Sequence, residues 1–205
     1  SMARQIHIIN YLHLLLLAVV LCLQACESSS AQTQIPETIA EPEAKQDSIP
    51  QADGFDFPVG PPDAKAYYNA QPFGRNLHLG DDWNGVGGGN SDLGDPVYSV
   101  AHGKVLEALD HGGGWGKVIR VVHRLEEQEV ESLYAHLDTM LVEEGDFVER
   151  GDQIGTIGNV DGIYWAHLHL EIRSQKGLPL GGGYSADTTG YVDPTAFIEG
   201  QRPRK

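Results

Sequence analysis

The sequence predicts an all-β fold, a small antiparallel β-sheet shaped as a partly open barrel or sandwich with long loops. Three observations predict it. Short runs alternate apolar and polar residues, as half-buried strands do. Clusters of Gly, Asp and Asn separate those runs. No stretch of ten or more residues carries the apolar spacing of an amphipathic helix. The runs lie within residues 55–200 of the 205-residue chain, enough for one core.

Two segments of different texture precede that domain. Ser1 reads as a cloning remnant before Met2, and residues 1–26 read as an export signal. Histidines aside, Arg4 is the only charged residue before Cys26. The apolar run "LLLLAVVLCL" (Leu14–Leu23) is too short to span a bilayer comfortably. "LQAC" (Leu23–Cys26) resembles the lipobox of bacterial lipoproteins, which implies lipid on Cys26 and a membrane anchor facing the periplasm. Glu27 after the cysteine points to the outer membrane. Residues 27–54 hold no aromatic residue and are rich in Ser, Gln, Pro, Glu and Ala. They bury too little apolar surface to fold, so a disordered tether with an average reach of about 30 Å is expected. Residues 201–205 read as a short tail.

Within the domain, four segments have strand character: "PVYSVAHGKVLEAL" (Pro96–Leu109), "KVIRVVH" (Lys117–His123), "VESLYAHL" (Val130–Leu137) and "AHLHLEIR" (Ala166–Arg173). "LVEEGDFVERGDQIGTIG" (Leu141–Gly158) places two Gly-Asp turns between short β-runs. It resembles the hammerhead turns of lipoyl and biotinyl carrier domains but holds no lysine to modify, so it reads as scaffold.

Charge and cysteine content narrow the chemistry. The net charge of −15, without a basic patch, excludes nucleic acid as the expected partner. The two cysteines, Cys22 and Cys26, both belong to the signal. The domain therefore has no disulfide and no thiolate, and any metal site must use His, Asp and Glu.

Three short motifs supply such groups. In "HLGDDW", His78 and Asp82 are four residues apart and share a face of an extended segment. Gly80 between them disfavours a helix, and Asp81 would face the other way. His167 and His169 share a strand face by period two. His136 ends the β-run "YAHLD". Each motif alone is weak. Together, these histidines and the aspartate, on three strand-like segments, can converge on one zinc ion, which takes neutral imidazole and carboxylate. Polar groups of this number are costly in a small β-core unless something pairs them.

"HLGDDW", "YAHLD" and "HLHLEI", in that order, resemble the signature of the M23 zinc metallopeptidases, the LytM and lysostaphin type. "GDPVYSVAHGKV", "VEEGDFVERGDQIGTIGN" and "DPTAFI" agree, and the resemblance runs from about Pro72 to Ile198. It implies a LytM-type fold and a zinc-dependent endopeptidase acting on the peptides of bacterial peptidoglycan. Carried over by position, zinc falls to His78, Asp82 and His169, and the catalytic histidines are His136 and His167. The division of base, acid and oxyanion roles between that pair stays open. His102, His111 and His123 match no catalytic position and read as surface or structural. A lipoprotein of this kind implies cleavage of D-Ala–diaminopimelate crosslinks, whereas lysostaphin-like relatives cut glycine bridges.

The chain departs from the family pattern in three places. Ile163, Tyr164 and Trp165 precede His-x-His where small or polar residues are commoner. The loops at residues 83–95 and 174–194 are long, and either could line the groove. Tyr67 or Tyr68 could offer a transition-state hydroxyl, and "AYYNAQPFGRN" (Ala66–Asn76) could block the metal in a resting form. Two other functions fit the same motifs: a LytM-type regulator that binds and activates a cell-wall amidase, and a peptidase acting on a secreted protein. A protein regulator of the chain itself is a further possible partner.

Overall fold

The computed structural model describes residues 48–203, so the expected signal and residues 27–47 of the expected tether lie outside the described residues. Ten strands and one helix follow in chain order: β1 (Tyr67–Gln71), β2 (Asp81–Gly85), β3 (Pro96–Tyr98), β4 (Gly103–Asp110), β5 (Lys117–Leu125), β6 (Gln128–Met140), β7 (Phe147–Val148), β8 (Gln153–Ile157), β9 (Leu168–Arg173), β10 (Tyr191–Val192) and α1 (Pro194–Gly200). A 3₁₀ turn occupies Arg75–Leu77. The strands form one open antiparallel sheet in the order β1-β2-β9-β6-β5-β4-β7. β10 pairs with β9, and β8 joins β3 to β6. The expected all-β architecture is observed. The seven-residue α1 is capped by Asp193, which accepts the Ala196 N–H, and opens with Pro194, whose fixed φ suits that position.

Period-two alternation sorts the central strands into two faces. Leu168, Leu170 and Ile172 of β9 join Trp83, Ile119, Val121, Val130 and Tyr134 in the main core. The intervening His169, Glu171 and Arg173 project to the other face. That face also carries a small cluster of Val118, Leu133 and Ala135, covered by Trp115 and Leu180. Every residue of β9 is therefore buried, although half of them are polar. "HLHLEIR" is thus a strand with one greasy face and one ionisable face, both covered.

β6 changes partner partway along. Its first part pairs with β9 up to Ala135↔His169, and its last part pairs with β8 from Leu137↔Ile157. His136 sits at the switch with φ 62, and the register against β5 slips there. A left-handed residue in a bulge bends the strand and re-aims its side chain. The fold thus stores strain at a candidate site residue. Gly158 makes the crossing possible, because a Cβ there would lie 2.4 Å from the His136 carbonyl oxygen.

Long-range contacts are made from Gln51, four residues ahead of residue 55, and as far as Arg202. Gln51 bridges to Arg124, and the Ala52 N–H donates to the Arg124 carbonyl at 2.8 Å. Phe55 N–H donates to the Gln201 carbonyl, and Arg202 pairs with Asp56 and Asp63. The Gly-Asp turns repeat one device. Asp146 and Asp152 each accept the N–H three residues before them, from Glu143 and Glu149.

His123 is fully buried on β5, between the His102 carbonyl (2.9 Å) and the Ser132 hydroxyl (2.7 Å). Loss of hydration pushes its pKa down to about 4 from 6.5. The unfolded chain therefore binds the extra proton between those values. This contribution to stability is complete above pH 6.5 and is lost as pH falls toward 4. Urea unfolding is expected to show about 2–3 kcal/mol less stability from this residue at pH 4.5 than at pH 7. His123→Gln should flatten that slope, and an unchanged slope would remove His123 as its source.

Candidate metal centre

Asp82 on β2 and His169 on β9 are direct cross-strand partners, which brings their side chains together on the ionisable face. His78 reaches them through the turn before β2. Asn76 and Leu77 take left-handed φ values of 53 and 66 there. The turn is held by bonds from Leu79 N–H to the Gly183 carbonyl (2.9 Å) and from Ser185 N–H to the Leu77 carbonyl (2.8 Å). Gly80 must be glycine: a Cβ would lie 2.4 Å from the Leu170 carbonyl oxygen and 2.9 Å from the His169 ring. The glycine that argues against a helix in the sequence is what lets the His-x-x-x-Asp segment lie against β9.

Three donor atoms meet. His78 Nε2 lies 3.0 Å from His169 Nδ1 and 3.3 Å from Asp82 Oδ1, and His169 Nδ1 lies 2.9 Å from Asp82 Oδ1. A tetrahedral zinc ion bound at about 2.0–2.1 Å keeps its donors roughly 3.3 Å apart. These separations fit such an ion. The other nitrogen of each imidazole is already engaged, His78 Nδ1 with the Gln71 carbonyl (3.1 Å) and His169 Nε2 with Glu171 (3.1 Å). Anchors of this type fix the ring and the tautomer of a metal-ligating histidine.

The electrostatics favour a cation. Burial opposes ionisation of Asp82, but its bonds to His169 and His78 outweigh that and hold its carboxyl well below the usual range. Burial likewise disfavours His169⁺, yet Asp82 and Glu171 overcome it and push His169 up to about 9. Two carboxylates thus call for positive charge at this point. A divalent ion on the three donors would supply it and displace the proton.

His136 and His167 stand beside this group. Their Nδ1 atoms are anchored on the Trp115 carbonyl (3.2 Å) and the Trp165 carbonyl (2.8 Å). Their rings are 4.8 Å apart, and His167 Nε2 is 3.9 Å from Asp82 Oδ1. Burial, with added repulsion from His169 and His167, pushes His136 down to about 3, so it is neutral at pH 7. Asp81 is turned away. It is fully buried and accepts from Phe73 N–H (2.8 Å) and from the Thr195 N–H (3.0 Å) and hydroxyl (2.6 Å).

The groove over these residues has two lobes. The lobe above the metal group holds about 430 Å³ and includes Trp115, Tyr164, Gly183 and Tyr184. The second holds about 520 Å³ and shares Gln71, Asp82, Tyr164 and His167 with the first. Both long loops line it, the 174–194 loop on one side and the 83–95 loop on the other. The candidate tyrosines differ from the structure. Tyr67 donates to Asp95 at 2.6 Å, and Tyr68 lines neither lobe. The hydroxyls at the groove belong to Tyr164 and Tyr184. The Ala66–Asn76 segment supplies no fourth metal ligand among the described residues; it contributes the Gln71 carbonyl behind His78. Glu171 was legible as the residue two beyond His169 on the same face. Trp115 and Tyr184 come from glycine-rich loops with no periodic signal.

Two imidazoles and a carboxylate aimed at one cation on a sheet face, with two more imidazoles alongside, form the layout of a metallohydrolase. The chain belongs to peptidase family M23, whose pattern it matches over residues 82–180. Lipoprotein NlpD of Yersinia enterocolitica is 39% identical over 80 residues, which are 39% of this chain and 78% of that protein. Peptidoglycan DD-endopeptidase ShyB of Vibrio cholerae serotype O1 is 34% identical over 80 residues, 39% of this chain and 18% of ShyB. Murein hydrolase activator NlpD of Escherichia coli K12 is 36% identical over 92 residues, 42% of this chain and 23% of that protein. The chain therefore spans under a quarter of the last two. A crystal structure from Pseudomonas aeruginosa, provisionally assigned to peptidase M23, superposes with TM-score 0.52 and 26% identity over 74% of this chain and 53% of that one.

Proposed function

We propose that the chain is a zinc-dependent endopeptidase that hydrolyses peptide crosslinks of bacterial peptidoglycan, held at the cell envelope by lipid on Cys26. The observation that carries this reading is the convergence of His78, Asp82 and His169 beside two anchored, non-ligating imidazoles. ShyB supports the substrate and the lipoprotein relative supports the envelope address. His78 Nε2, Asp82 Oδ1 and His169 Nδ1 would hold zinc, which polarises a carbonyl and acidifies water.

The chain's own residues do the rest. His136, neutral and lining the groove, accepts the proton of the attacking water and returns it to the leaving amine. His167, near Asp82, carries a proton toward the oxygen that gains charge as the carbonyl is attacked. Trp115 restricts water around His136, its ring stacked at 6.3 Å. The bond best suited to an envelope lipoprotein is the D-Ala–diaminopimelate crosslink.

Zinc content of the full chain and muropeptide release from purified sacculi test this together. One zinc per chain with peptide-cleaved products is the expected result. Zinc without cleavage would favour the activator role named for the Escherichia coli relative. A folded chain that takes up no zinc would end the enzyme reading.

A further inference from the structure

The second lobe of the groove is lined by two of the three departures from the family pattern, Ile163–Trp165 and the 83–95 loop, and the metal centre does not use its far end. Trp165 is 70% exposed at its rim, an unusual place for the largest side chain. Its backbone is nevertheless fixed. The Ala166 N–H after it donates to Asn90 Oδ1 (2.8 Å), and the Ala166 carbonyl accepts from Asn84 Nδ2 (3.2 Å). The Trp165 carbonyl is the anchor of His167. A Cβ on Gly89 would lie 3.9 Å from its indole, so the glycine run of the 83–95 loop passes beside the ring. The result is an exposed aromatic ring on a fixed backbone.

The polar groups around it are carboxamides. Asn84 and Asn90 each use one end to hold Ala166, and Asn159 uses its Oδ1 to accept the Gly162 N–H (3.1 Å). The other ends, Asn84 Oδ1 and the amide nitrogens of Asn90 and Asn159, have no hydrogen-bond partner among the described residues. They offer both donors and acceptors to a ligand. No lysine or arginine lines this lobe among the described residues, and its only ionisable side chains besides Tyr164 are the Asp82 and His167 of the adjoining centre. A carboxylate-bearing stem peptide would call for a cation here. A neutral sugar ring would not: its C–H face stacks on an aromatic plate, and its hydroxyl and acetamido groups pair with planar amides. The volume of about 520 Å³ lies in the range of small-ligand sites.

We propose that this lobe is a subsite for an N-acetylhexosamine ring of the glycan strand, stacked on Trp165 and read by Asn84, Asn90 and Asn159. It rests on the peptidoglycan reading for its natural source, and it would place the glycan beside the peptide bond at the metal centre.

The probe is chitotetraose, titrated by calorimetry into the full chain and its variants and, in wild type, followed by the indole N–H resonance of Trp165 in NMR, with maltotetraose as the sugar lacking acetamido groups. Saturable shifts with chitotetraose alone are expected. Trp165→Ala should weaken binding by roughly tenfold or more, and Trp165→Tyr should retain most of it. Because Trp165 is exposed, neither variant threatens the core. No shift with chitotetraose, equal binding of maltotetraose, or undiminished binding by Trp165→Ala would each overturn the subsite. The readout needs no catalysis. Sugar binding by a chain that cleaves no sacculi would keep the subsite and remove the peptidase reading. Cleavage without sugar binding would do the reverse.

Discussion

Replacing His169 with alanine is expected to lower zinc affinity by on the order of a thousandfold and to abolish cleavage, whereas His136→Ala is expected to keep its zinc and lose roughly 10²–10⁴ in kcat. The contrast follows from position. His169 Nδ1 sits 3.0 and 2.9 Å from the other two donors, so its removal leaves a two-ligand site, with Glu171 held by Arg173 and Asp82 left with His78. His136 is not among the three residues whose donor atoms meet; it reaches the group only ring to ring, 5.6 Å from His169. Truncating it removes a proton carrier but keeps a Cβ at φ 62, so the left-handed strain remains and the loss of a buried ring should lower stability modestly. Metal analysis with single-turnover kinetics on both variants separates the roles. Zinc loss in His136→Ala, or full zinc in His169→Ala, would mean that the ligand set is misassigned.

The sequence carried more of this site than of its surroundings, for a physical reason. Strand parity is local. His-x-His and His-x-x-x-Asp fix which side chains share a face without any knowledge of the fold, and Asp81 is placed away from His78 by the same rule. Glu171 and Arg173 were readable by one more step of that alternation. What parity does not give is depth. "LHLEIR" alternates apolar and polar residues, yet both faces are covered, because Trp115 and the loop after β9 close over the polar side. Such cover comes from residues far away in the chain, and glycine-rich loops have no period to announce it. The tyrosines illustrate the same limit. Tyr67 and Tyr68 precede His78 by eleven and ten residues and line neither lobe, whereas Tyr164, five residues before His169, and Tyr184 line the groove over the candidate metal group. Gln51–Gly54 have the composition of a tether, yet Gln51 bridges to Arg124 and Asp53 pairs with Arg150 and His102, all distant in the chain.

The polar face continues away from the metal as a buried chain of charges, and breaking it is expected to give the largest stability loss in the domain. Glu131 is fully buried. Its Oε1 accepts from Arg120 Nε (2.8 Å) and Arg173 Nη1 (3.4 Å), and its Oε2 accepts from Arg120 Nη2 (3.0 Å) and the Gly177 N–H (2.8 Å). Arg173 in turn bonds Glu171 (2.7 Å), the anchor of His169. Both guanidiniums also reach the Leu178 carbonyl, and Arg173 reaches that of Leu180. The cluster thus ties the loop after β9 to the strand that bears His169. Glu131→Ala would leave two guanidiniums and a backbone N–H without their acceptor, and removing one partner of a buried pair typically costs about 3–5 kcal/mol. Arg120→Met combined with Glu131→Leu should recover part of that loss, because it removes a cation together with its anion. Hydrogen exchange should rise first at residues 176–184, and with that loop free, Gly183 and Tyr184 lose their place over His78. Urea midpoints for the three chains decide the matter. A single variant within about 1 kcal/mol of wild type would show the cluster to be well solvated, and the link between loop and metal ligand would fall with it.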